Sequence, residues 1–519
     1  MRQKLSRPLA LLGLSCSIAA AGWLTFGGNP QRNGWATGEA IITKDSVKNF
    51  QLLWKLKLDN QPKELNSLTS PVVASPVYTN HGAEEYVIVG GSSDNLYAVD
   101  ADNGKIVWQK HFTNTAPPPT AAMSNGSYFC PNALNDTPVV HSSEDGATVY
   151  VISIDGKLHG LNAVNGEDRF PPKEFVPAYS KNWSLNFAND SIYTTISQGC
   201  GKALSGIWSM DLSNREKPAS FFQSGIFGAA GIWGRGGAAI GANGTVYAAT
   251  GDGPYDPSAG KYGETFLALS PKDLKLLDFY TPSNANYLMR KDLDMGNTSP
   301  VVFPYKTREL LVGSGKEGVL FLLDAKSLGG DTHRKPLFAS PQYANEFADI
   351  AGRGFWGAFA SWEDPRGTRW IYAPAWGPIT STAPPFPITN GPAPDGSIMA
   401  FKVEDKDGQP VLTPVWMSRD MNVPEPPVIA NGVVFSISSG EFTRQVKESG
   451  ALYTTEERIQ NTTGNATLYA FDAETGKELF SSGKTMPSFT HFGAVAVNDG
   501  RVFATTHDST LYAFGIKGD

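Results

Sequence analysis

A short apolar run that ends on an acidic residue recurs along the chain, followed by a polar turn and a second apolar run. The clearest copy spans residues 96–100 (LYAVD), with a turn at residues 103–105 (NGK) and a second run at residues 106–108 (IVW). Successive side chains of a strand point to opposite faces, and the turn glycine supplies the positive φ that a tight hairpin requires. Each copy therefore predicts a β-hairpin.

This hydrophobic pattern occurs eight times. A second clear copy spans residues 468–472 (LYAFD), with its turn at residues 475–477 (TGK). The remaining copies begin at Leu158, Ile207, Phe266, Leu320, Ile398 and Leu511. A single four-stranded sheet of this kind cannot bury both of its faces, so the sheets must stack against one another in a ring. The chain is therefore predicted to be all-β and to fold as an eight-bladed β-propeller.

The two ends of the repeat region predict how the ring closes. The last copy, residues 511–514 (LYAF), leaves almost no chain for a following outer strand. Residues 52–58 (LLWKLKL), in contrast, have the pattern of an outer strand with no copy before it. We expect this N-terminal strand to complete the last blade, because an unpaired edge strand would be an aggregation risk. Two separate β-sandwiches are the alternative arrangement.

Three long polar or proline-rich segments interrupt the repeats, at residues 114–128, 376–396 and 441–463. Loops of this length are often functional or mobile. We expect them on the faces of the propeller, outside the blade cores, and we expect residues 441–463 to protrude.

The first residues have the pattern of an export signal. Basic residues precede an apolar run at residues 8–21 that ends in three alanines, which is typical of a cleavage site. The run is short for a membrane span, and the alternatives are an uncleaved anchor and, more weakly, a lipid anchor at Cys16. We therefore predict a signal peptide at residues 1–22 and a propeller domain at residues 23–519. The protein is expected to be secreted or periplasmic, with no transmembrane segment after cleavage.

Export also bears on the cysteines, because cleavage would leave only Cys130 and Cys200. A disulfide bridge between them is possible in an oxidising compartment, and two buried or free thiols are the alternative. No Cys-x-x-Cys-His motif is present, so the sequence does not indicate a covalently attached c-type haem.

Composition agrees with this architecture and excludes one class of partner. Only 18% of the 519 residues are charged, while 54 are glycine and 36 are proline, which suits many short strands joined by tight turns. The formal net charge of -7 argues against nucleic acid as a partner, because phosphate binding requires a basic face.

The repeats resemble those of the pyrroloquinoline-quinone (PQQ) repeat family, which includes the quinoprotein alcohol dehydrogenases. Residues 23–28 (WLTFGG) with Arg32, and residues 42–58, are similar to the segment that leads into the first blade of those enzymes. The resemblance covers nearly all of residues 23–519 and implies the eight-bladed fold. It leaves the activity open, because the family also includes non-catalytic scaffold propellers such as the outer-membrane assembly lipoprotein.

The same resemblance implies four site residues. Trp233, in a Gly-Ile-Trp-Gly segment, is similar to the tryptophan that forms a flat floor under the quinone. Asp252, in Thr-Gly-Asp-Gly-Pro, and Asp294, in Lys-Asp-Leu-Asp, are similar to residues that bind Ca²⁺. Asp294 also matches the catalytic aspartate that accepts the proton of the alcohol. Lys316, in Ser-Gly-Lys-Glu-Gly, is similar to the basic residue that binds the quinone oxygens and stabilises developing negative charge.

Each of these residues also has a structural alternative, and two family features are missing. Trp233 is otherwise expected to pack a blade, and the three charged residues to lie in surface turns. The family's glutamate ligand to calcium has no counterpart, because residues 198–202 (QGCGK) contain no carboxylate. The adjacent-cysteine pair found beside the quinone in many of these enzymes is also absent. The predicted calcium site is therefore incomplete.

A second group of aromatic and charged residues precedes the proline-rich segment. It comprises residues 354–358 (GFWGA), Arg353, Trp362, Glu363, Asp364 and Trp370. Tryptophans with a few polar groups suit a sugar or a planar ligand, so this group is a candidate pocket lining at one mouth of the channel. Aromatic packing within a blade, with a turn at residues 364–367, is the alternative.

Two hypotheses for function follow. The first is a quinone-dependent dehydrogenase that acts on an alcohol or sugar hydroxyl, favoured by the four candidate residues in family order. The second is a non-catalytic propeller that binds a protein or glycan of the cell envelope, favoured by the incomplete calcium site and the long loops. The sequence favours the first narrowly.

Overall fold

The computed structural model describes residues 22–120, 130, 134–226, 228–462 and 464–517. Antiparallel sheets follow one another along the chain and form an eight-bladed β-propeller. The fold class predicted from the repeats, all-β with eight blades, is thus confirmed. The predicted signal peptide at residues 1–22 lies outside the described residues, apart from Gly22.

Each blade has four main strands, named in order from first to last. Blade 1 comprises Val72–Thr79, Gly82–Gly91, Asn95–Asp100 and Ile106–His111, and blade 2 comprises Val139–Ser143, Gly146–Ile152, Lys157–Asn162 and Lys173–Glu174. Blade 3 comprises Asn186–Ala188, Ser191–Ser197, Gly206–Asp211 and Ser220–Gln223, and blade 4 comprises Ala239–Ile240, Val246–Ala249, Phe266–Leu269 and Leu276–Tyr280. Blade 5 comprises Val301–Tyr305, Arg308–Gly313, Val319–Asp324 and Phe338–Gln342, and blade 6 comprises Ala360–Glu363, Arg369–Trp376, Gly396–Lys406 and Gln409–Met417. Blade 7 comprises Val428–Ala430, Val433–Ser438, Thr467–Asp472 and Glu478–Ser481, and blade 8 comprises Ala496–Asn498, Arg501–Thr506, Thr510–Gly515 and Gln51–Lys57.

Additional short strands and helices lie outside the four main strands of each blade. Extra strands are Gly22–Trp23 on blade 1, Lys181–Asn182 on blade 3, Gly354–Phe355 and Ile388–Thr389 on blade 6, and Trp35–Ala36 on blade 7. Two further pairs are Tyr255–Asp256 with Lys261–Tyr262 and Thr298–Ser299 with Gly357–Ala358. The α-helices of the described residues are Ala285–Lys291 and Thr455–Asn461. Within that part of the chain, no helix has the length and apolar character needed to span a bilayer.

The repeated motif forms the third strand of each blade, and its turn joins neighbouring blades. Trp108, in the last strand of blade 1, donates a hydrogen bond of 2.7 Å from Nε1 to the carbonyl of Ala163 in blade 2. Its ring also lies against Gly166, where a Cβ atom would come within 2.7 Å of the ring. The same arrangement joins Trp54 to Ala101 and Gly104, and Trp416 to Ala473 and Gly476. The tryptophan and the turn glycine of the motif are therefore contacts between blades.

The N-terminal strand closes the ring as predicted. Gln51–Lys57 pairs antiparallel with Thr510–Gly515 and becomes the last strand of blade 8. Trp54 of this strand then contacts blade 1 through the carbonyl of Ala101 at 3.0 Å. Backbone hydrogen bonds thus join the two ends of the chain, and Gln51–Lys57 covers the outer side of Thr510–Gly515.

The segment before the first blade crosses the inner edges of the ring. Its carbonyl groups accept hydrogen bonds from the first strands of five blades, through the N–H groups of Val140, Ile240, Val302, Ser361 and Ile429. Arg32 in this segment is fully buried, and its guanidinium donates to Thr25 Oγ1 and to the carbonyls of Phe26, Ser184, Leu185 and Ala238. Residues 22–36 therefore link blades that are far apart in the sequence.

Cys130 and Cys200 form a disulfide bridge. The sequence left the bridge and the pair of free thiols open, and the structure has the bridge. It fixes the end of the long segment between blades 1 and 2 to the turn that follows the second strand of blade 3.

A buried carboxyl group in the segment between blades 1 and 2 predicts a pH-dependent stability. Burial raises the pKa of Asp136 from 3.8 to about 7, although Oδ2 accepts a hydrogen bond from the Ile152 N–H. The folded protein keeps this proton up to about pH 7, whereas the unfolded chain releases it near pH 3.8, so the free energy of unfolding falls across that window. Asp136→Asn keeps the acceptor and removes the titration.

We expect Asp136→Asn to gain about 2 kcal/mol over the unmodified protein between about pH 5.5 and pH 7, at about 1.4 kcal/mol per pH unit. Urea unfolding of both proteins across that range measures the difference, with the exposed Asp145→Asn as control. A difference that does not change with pH would show that Asp136 is ionised in the folded protein.

Candidate functional site

A pocket of about 240 Å³ brings all four predicted site residues together. Trp233, Asp252, Asp294 and Lys316 line it, although they come from segments of blades 4 and 5 that are well separated in sequence. Asp294 and Lys316 are buried, which excludes a surface turn for these two, whereas Asp252 is exposed. Their roles toward a cofactor stay predictions.

The lining residues occupy two recurrent positions in the blades. One set follows or ends the second strand of a blade: Gln198, Asp252, Lys316, Trp376 and Glu441. The other set lies before the first strand of a blade: Lys181, Trp233, Asp294, Trp356 and His491. Because antiparallel neighbours bring these two positions to the same end of each blade, the pocket collects residues from blades 3 to 8.

Lys316 is the electrostatic centre of the pocket. Its Nζ atom lies 2.6 Å from Asp294 Oδ2 and 2.8 Å from Asp292 Oδ1, and its side chain is almost fully buried. Burial alone would lower the pKa of Lys316, but the charges of Asp294 and Asp292 outweigh it and raise that pKa. The ammonium group therefore remains charged and pairs with both carboxylates.

Contacts to both carboxylate oxygens of Asp294 keep it ionised. Its Oδ1 atom accepts a hydrogen bond of 2.6 Å from the Asp252 N–H, while Oδ2 faces Lys316. Burial opposes ionisation, yet the Lys316 ammonium and these hydrogen bonds lower the pKa of Asp294 below its ordinary value. A fixed carboxylate of this kind is able to accept a proton or to bind a cation.

Asp252, Asp292 and Asp294 form one group of carboxylates whose ligand atoms lie within 4.8 Å of one another. Partial burial, followed by the charges of Asp294 and Asp292, raises the pKa of Asp252 to about 7. Burial and the Asp294 charge likewise raise the pKa of Asp292 to about 6, against the effect of Lys316. The three carboxylates outnumber the single ammonium, so the group favours an added cation.

Behind this group lies a further carboxyl group that the sequence analysis did not single out. Glu264 is fully buried, and its Oε2 atom accepts a hydrogen bond of 2.8 Å from the Met295 N–H. Its Oε1 atom has no hydrogen-bond partner among the described residues. Burial and the nearby Asp294 raise the pKa of Glu264 well above its ordinary value.

Aromatic rings next to these charged groups form another part of the wall. Trp233 meets Trp356 edge to face at 5.5 Å between ring centroids, and Trp356 stacks on Trp376 at 4.3 Å with an interplanar angle of 5°. The Lys316 ammonium lies 5.3 Å from the Trp233 ring centroid. Because Gly231, behind Trp233, also lines the pocket, the wall combines flat rings with exposed backbone. Such a surface suits a planar ligand.

The aromatic and charged residues that precede the proline-rich segment have both of the predicted roles: some line the pocket and others pack within the blades. Trp356 lines the pocket, as the first alternative predicted. Trp362 and Trp370 instead pack in the core between blades 6 and 7. Asp364 organises the predicted turn by accepting hydrogen bonds from the Arg366 and Thr368 N–H groups.

The insertion at residues 441–463 folds over the pocket, so the prediction that it protrudes is wrong for part of its length. Glu441 and Arg458 are both buried, and their side chains pair at 2.9 Å. Glu441 also lies 2.8 Å from His491 Nδ1. Charged residues in a polar insertion are usually exposed, but in this insertion mutual pairing allows their burial. Thr443 and Gln445 extend this wall.

A smaller cavity of about 60 Å³ adjoins the pocket and shares four wall residues with it: Lys181, Trp183, His491 and Phe492. Its other polar walls carry hydroxyl, amide and guanidinium groups, from Asn66, Ser67, Thr69, Ser70, Asn135, Thr137, Ser184 and Arg235. No carboxylate lines this smaller cavity within the described residues. We call it the polar annex.

Comparison with known proteins shows the family and the fold. A PQQ-repeat family model, described as outer membrane protein assembly factor BamB, matches residues 36–199 and 415–518, which is more than half of the chain. The 1-butanol dehydrogenase (cytochrome c) of Thauera butanivorans is 23% identical over 545 aligned residues, which cover 91% of this chain and 73% of that protein.

Two solved structures have the same fold. The quinohemoprotein alcohol dehydrogenase from Comamonas testosteroni superposes with a TM-score of 0.56 at 15% identity, covering 96% of this chain and 81% of that one. A europium-containing methanol dehydrogenase superposes with a TM-score of 0.57 at 12% identity, covering 96% of this chain and 98% of that one. At these identities the likeness establishes the fold alone.

Proposed function

The chain belongs to the PQQ-repeat β-propeller family, and on that premise we propose that it is a quinone-dependent oxidoreductase that oxidises an alcohol or sugar hydroxyl. The observation that carries this proposal is the convergence of Trp233, Asp252, Asp294 and Lys316 on one pocket. A scaffold propeller has no need for a flat aromatic floor beside a paired carboxylate and ammonium. The proposal includes the secreted or periplasmic location implied by the N-terminal sequence.

The pocket fits pyrroloquinoline quinone and a calcium-like cation. Trp233 would lie under the planar ring system, and Lys316 beside its oxygens. The available metal ligands are all oxygen atoms, which is the donor type that Ca²⁺ prefers. Gln198 lines the pocket in the region where the family has its glutamate, and an amide oxygen is also a competent calcium ligand. The residues that would hold the cation are therefore Asp252, Asp294 and Asp292, with the amide oxygen of Gln198 as an additional, uncharged ligand.

The residues of the pocket have distinct roles in such a reaction. When bound, pyrroloquinoline quinone supplies the acceptor for the hydride that leaves the hydroxyl-bearing carbon. Asp294 accepts the proton of the hydroxyl group, since its carboxylate is kept ionised by Lys316. Lys316 stabilises negative charge that develops on oxygen next to it. Glu441 and Arg458 of the insertion, together with the tryptophan wall, would limit the access of water to this chemistry.

A cofactor titration tests the proposal. The purified protein is titrated with pyrroloquinoline quinone in the presence of Ca²⁺ or of EDTA, and binding is followed by quenching of tryptophan fluorescence. A dye-linked assay then measures oxidation of a panel of primary alcohols and sugars. We expect saturable binding of one quinone per chain with Ca²⁺, weaker binding with EDTA, and turnover of at least one alcohol. Absence of both binding and turnover would favour the scaffold hypothesis instead.

A further inference from the structure

The lining of the pocket contains almost no aliphatic side chain. Among the described residues, no valine, leucine, isoleucine or methionine lines it, and Ala351 is the single residue there with an aliphatic side chain. The remaining apolar side chains of the lining are aromatic rings. Small-molecule sites usually bury the apolar parts of a ligand against apolar side chains. An alkyl chain in this pocket would find few such neighbours besides the rings.

The insertion of blade 7 adds a polar surface to this lining. Thr443 and Gln445 both line the pocket, whereas Arg444 between them is exposed to solvent. This alternation is typical of an extended segment, whose successive side chains point to opposite sides. The Thr443 hydroxyl and the Gln445 side-chain amide form no hydrogen bond with another described residue. Both groups are therefore available to a ligand.

Contacts within the insertion hold this polar surface in place. The Tyr453 N–H donates a hydrogen bond of 2.8 Å to the Gln445 carbonyl, which joins the two sides of a short hairpin. The Phe442 ring meets the Tyr453 ring edge to face at 5.2 Å between centroids. At its base, Glu441 and Arg458 form the buried pair. A surface that is ordered before the ligand arrives loses less conformational freedom on binding.

Hydroxyl groups on a ligand match this surface, whereas an alkyl chain does not. An alkyl chain that covers the Thr443 hydroxyl and the Gln445 amide would remove their water without replacing its hydrogen bonds. A ligand hydroxyl both donates and accepts, so it suits either group. The adjoining polar annex extends the same chemistry, because hydroxyl and amide groups line it.

We propose that the substrate is a polyhydroxylated molecule, and that Thr443 and Gln445 select it by hydrogen bonding to hydroxyl groups other than the one that is oxidised. Both residues are specificity-determining residues in this proposal. The inference rests on the proposed function, because it names the substrate class of the same pocket. Open-chain polyols and cyclic sugars share this chemistry, and the test includes substrates of both kinds.

The experiment compares substrates in pairs that differ only in the additional hydroxyl groups. The pairs are glycerol with 1-propanol, sorbitol with 1-hexanol, and xylose with 2-hydroxytetrahydropyran, which keeps the ring and the anomeric hydroxyl. The dye-linked assay measures kcat/KM for each substrate with quinone- and calcium-loaded protein. Thr443→Val and Gln445→Met remove the two polar groups with little change of shape. Gln460→Met is the matched control, because Gln460 is exposed on the helix of the same insertion and does not line the pocket.

We expect the unmodified protein to prefer the polyhydroxylated member of at least one pair by about 10- to 100-fold in kcat/KM, since its partner leaves polar groups of the site unpaired. The pair with the larger preference separates polyols from sugars. Thr443→Val and Gln445→Met should each lower kcat/KM for the polyhydroxylated member by about 5- to 10-fold, the usual effect of one hydrogen bond. Both variants should raise kcat/KM for its partner, while Gln460→Met should change neither. Quinone affinity, measured by tryptophan fluorescence, should be the same in all variants.

Three results would overturn the inference. Equal kcat/KM for the two members of every pair, or a preference for the alkyl members, would exclude a polyhydroxylated substrate and leave the proposed function intact. An equal loss for both members of a pair, or weaker quinone binding, in Thr443→Val and Gln445→Met would assign these residues a structural or cofactor-binding role. Failure of the unmodified protein to bind the quinone and to oxidise any of the substrates would refute the proposed function, and this inference with it.

Discussion

Asp294→Asn is expected to lower the turnover number of the quinone- and calcium-loaded protein by about 10²- to 10⁴-fold, the usual contribution of a general base. Asparagine matches aspartate in shape and can still accept the hydrogen bond from the Asp252 N–H. It cannot accept the proton of a hydroxyl group, and it removes the ion pair with Lys316. The dye-linked assay at saturating alcohol, quinone and Ca²⁺ measures the effect.

Two comparisons make this result specific. The exposed Asp331→Asn variant should keep full turnover, and the bound quinone should be quantified in each variant so that turnover is expressed per loaded site. Because asparagine still offers an oxygen ligand, excess Ca²⁺ should restore quinone binding without restoring turnover. Turnover of loaded Asp294→Asn within about tenfold of the unmodified protein would assign the base to another residue.

Arg32→Met should lower the free energy of unfolding by about 4 kcal/mol, as expected when several buried acceptors lose their donor at once. Methionine fills part of the space but donates no hydrogen bonds. Four backbone carbonyls and Thr25 Oγ1 would then lose a partner in the centre of the ring. Since residues 22–36 connect several blades, the loss should appear as a lower midpoint of the whole cooperative transition.

Urea unfolding followed by tryptophan fluorescence measures this change. The exposed Arg308→Met variant, which removes an arginine from a blade surface, should shift the midpoint little. A loss of less than about 1 kcal/mol for Arg32→Met would indicate that the N-terminal segment contributes little to stability and that the blade contacts alone hold the ring.

The fold was predictable because its information is local and repeated. The clear copies of the motif encode a third strand, a turn glycine and a following strand, and the tryptophan of one blade fits the turn of the next, as Trp108 does with Gly166. Closure was also predictable, because residues 52–58 had the pattern of an outer strand without its own repeat. The disulfide was not decidable, because a bridge depends on the distance between Cys130 and Cys200, which sequence does not provide.

The candidate site was predictable only in part. Trp233, Asp252, Asp294 and Lys316 were found through short segments that resemble family motifs, and the structure places them together. Asp292 lies in the same segment as Asp294 but was passed over, since two residues of separation leave the choice between them open. The two recurrent positions of the lining residues offer a usable criterion. Charged or aromatic residues directly after the second strand of a blade, or before its first strand, are candidates for the pocket wall.

The other lining residues carry no motif of their own. Lys181 and His491 reach the pocket only because the ring closes, so their proximity is a property of the whole propeller. Glu441 and Arg458 were assigned to a protruding loop because charged residues rarely become buried, and their mutual pairing was invisible in the sequence. Burial of charge by pairing is a tertiary effect that composition alone does not predict.

The most direct test of the account is a crystal structure of the protein with pyrroloquinoline quinone and Ca²⁺, with anomalous diffraction used to locate the cation. The account predicts a quinone on the face of Trp233 and a cation peak among Asp252, Asp292 and Asp294. Well-diffracting crystals grown with saturating quinone and cation that show the pocket empty, or the quinone bound elsewhere, would contradict it.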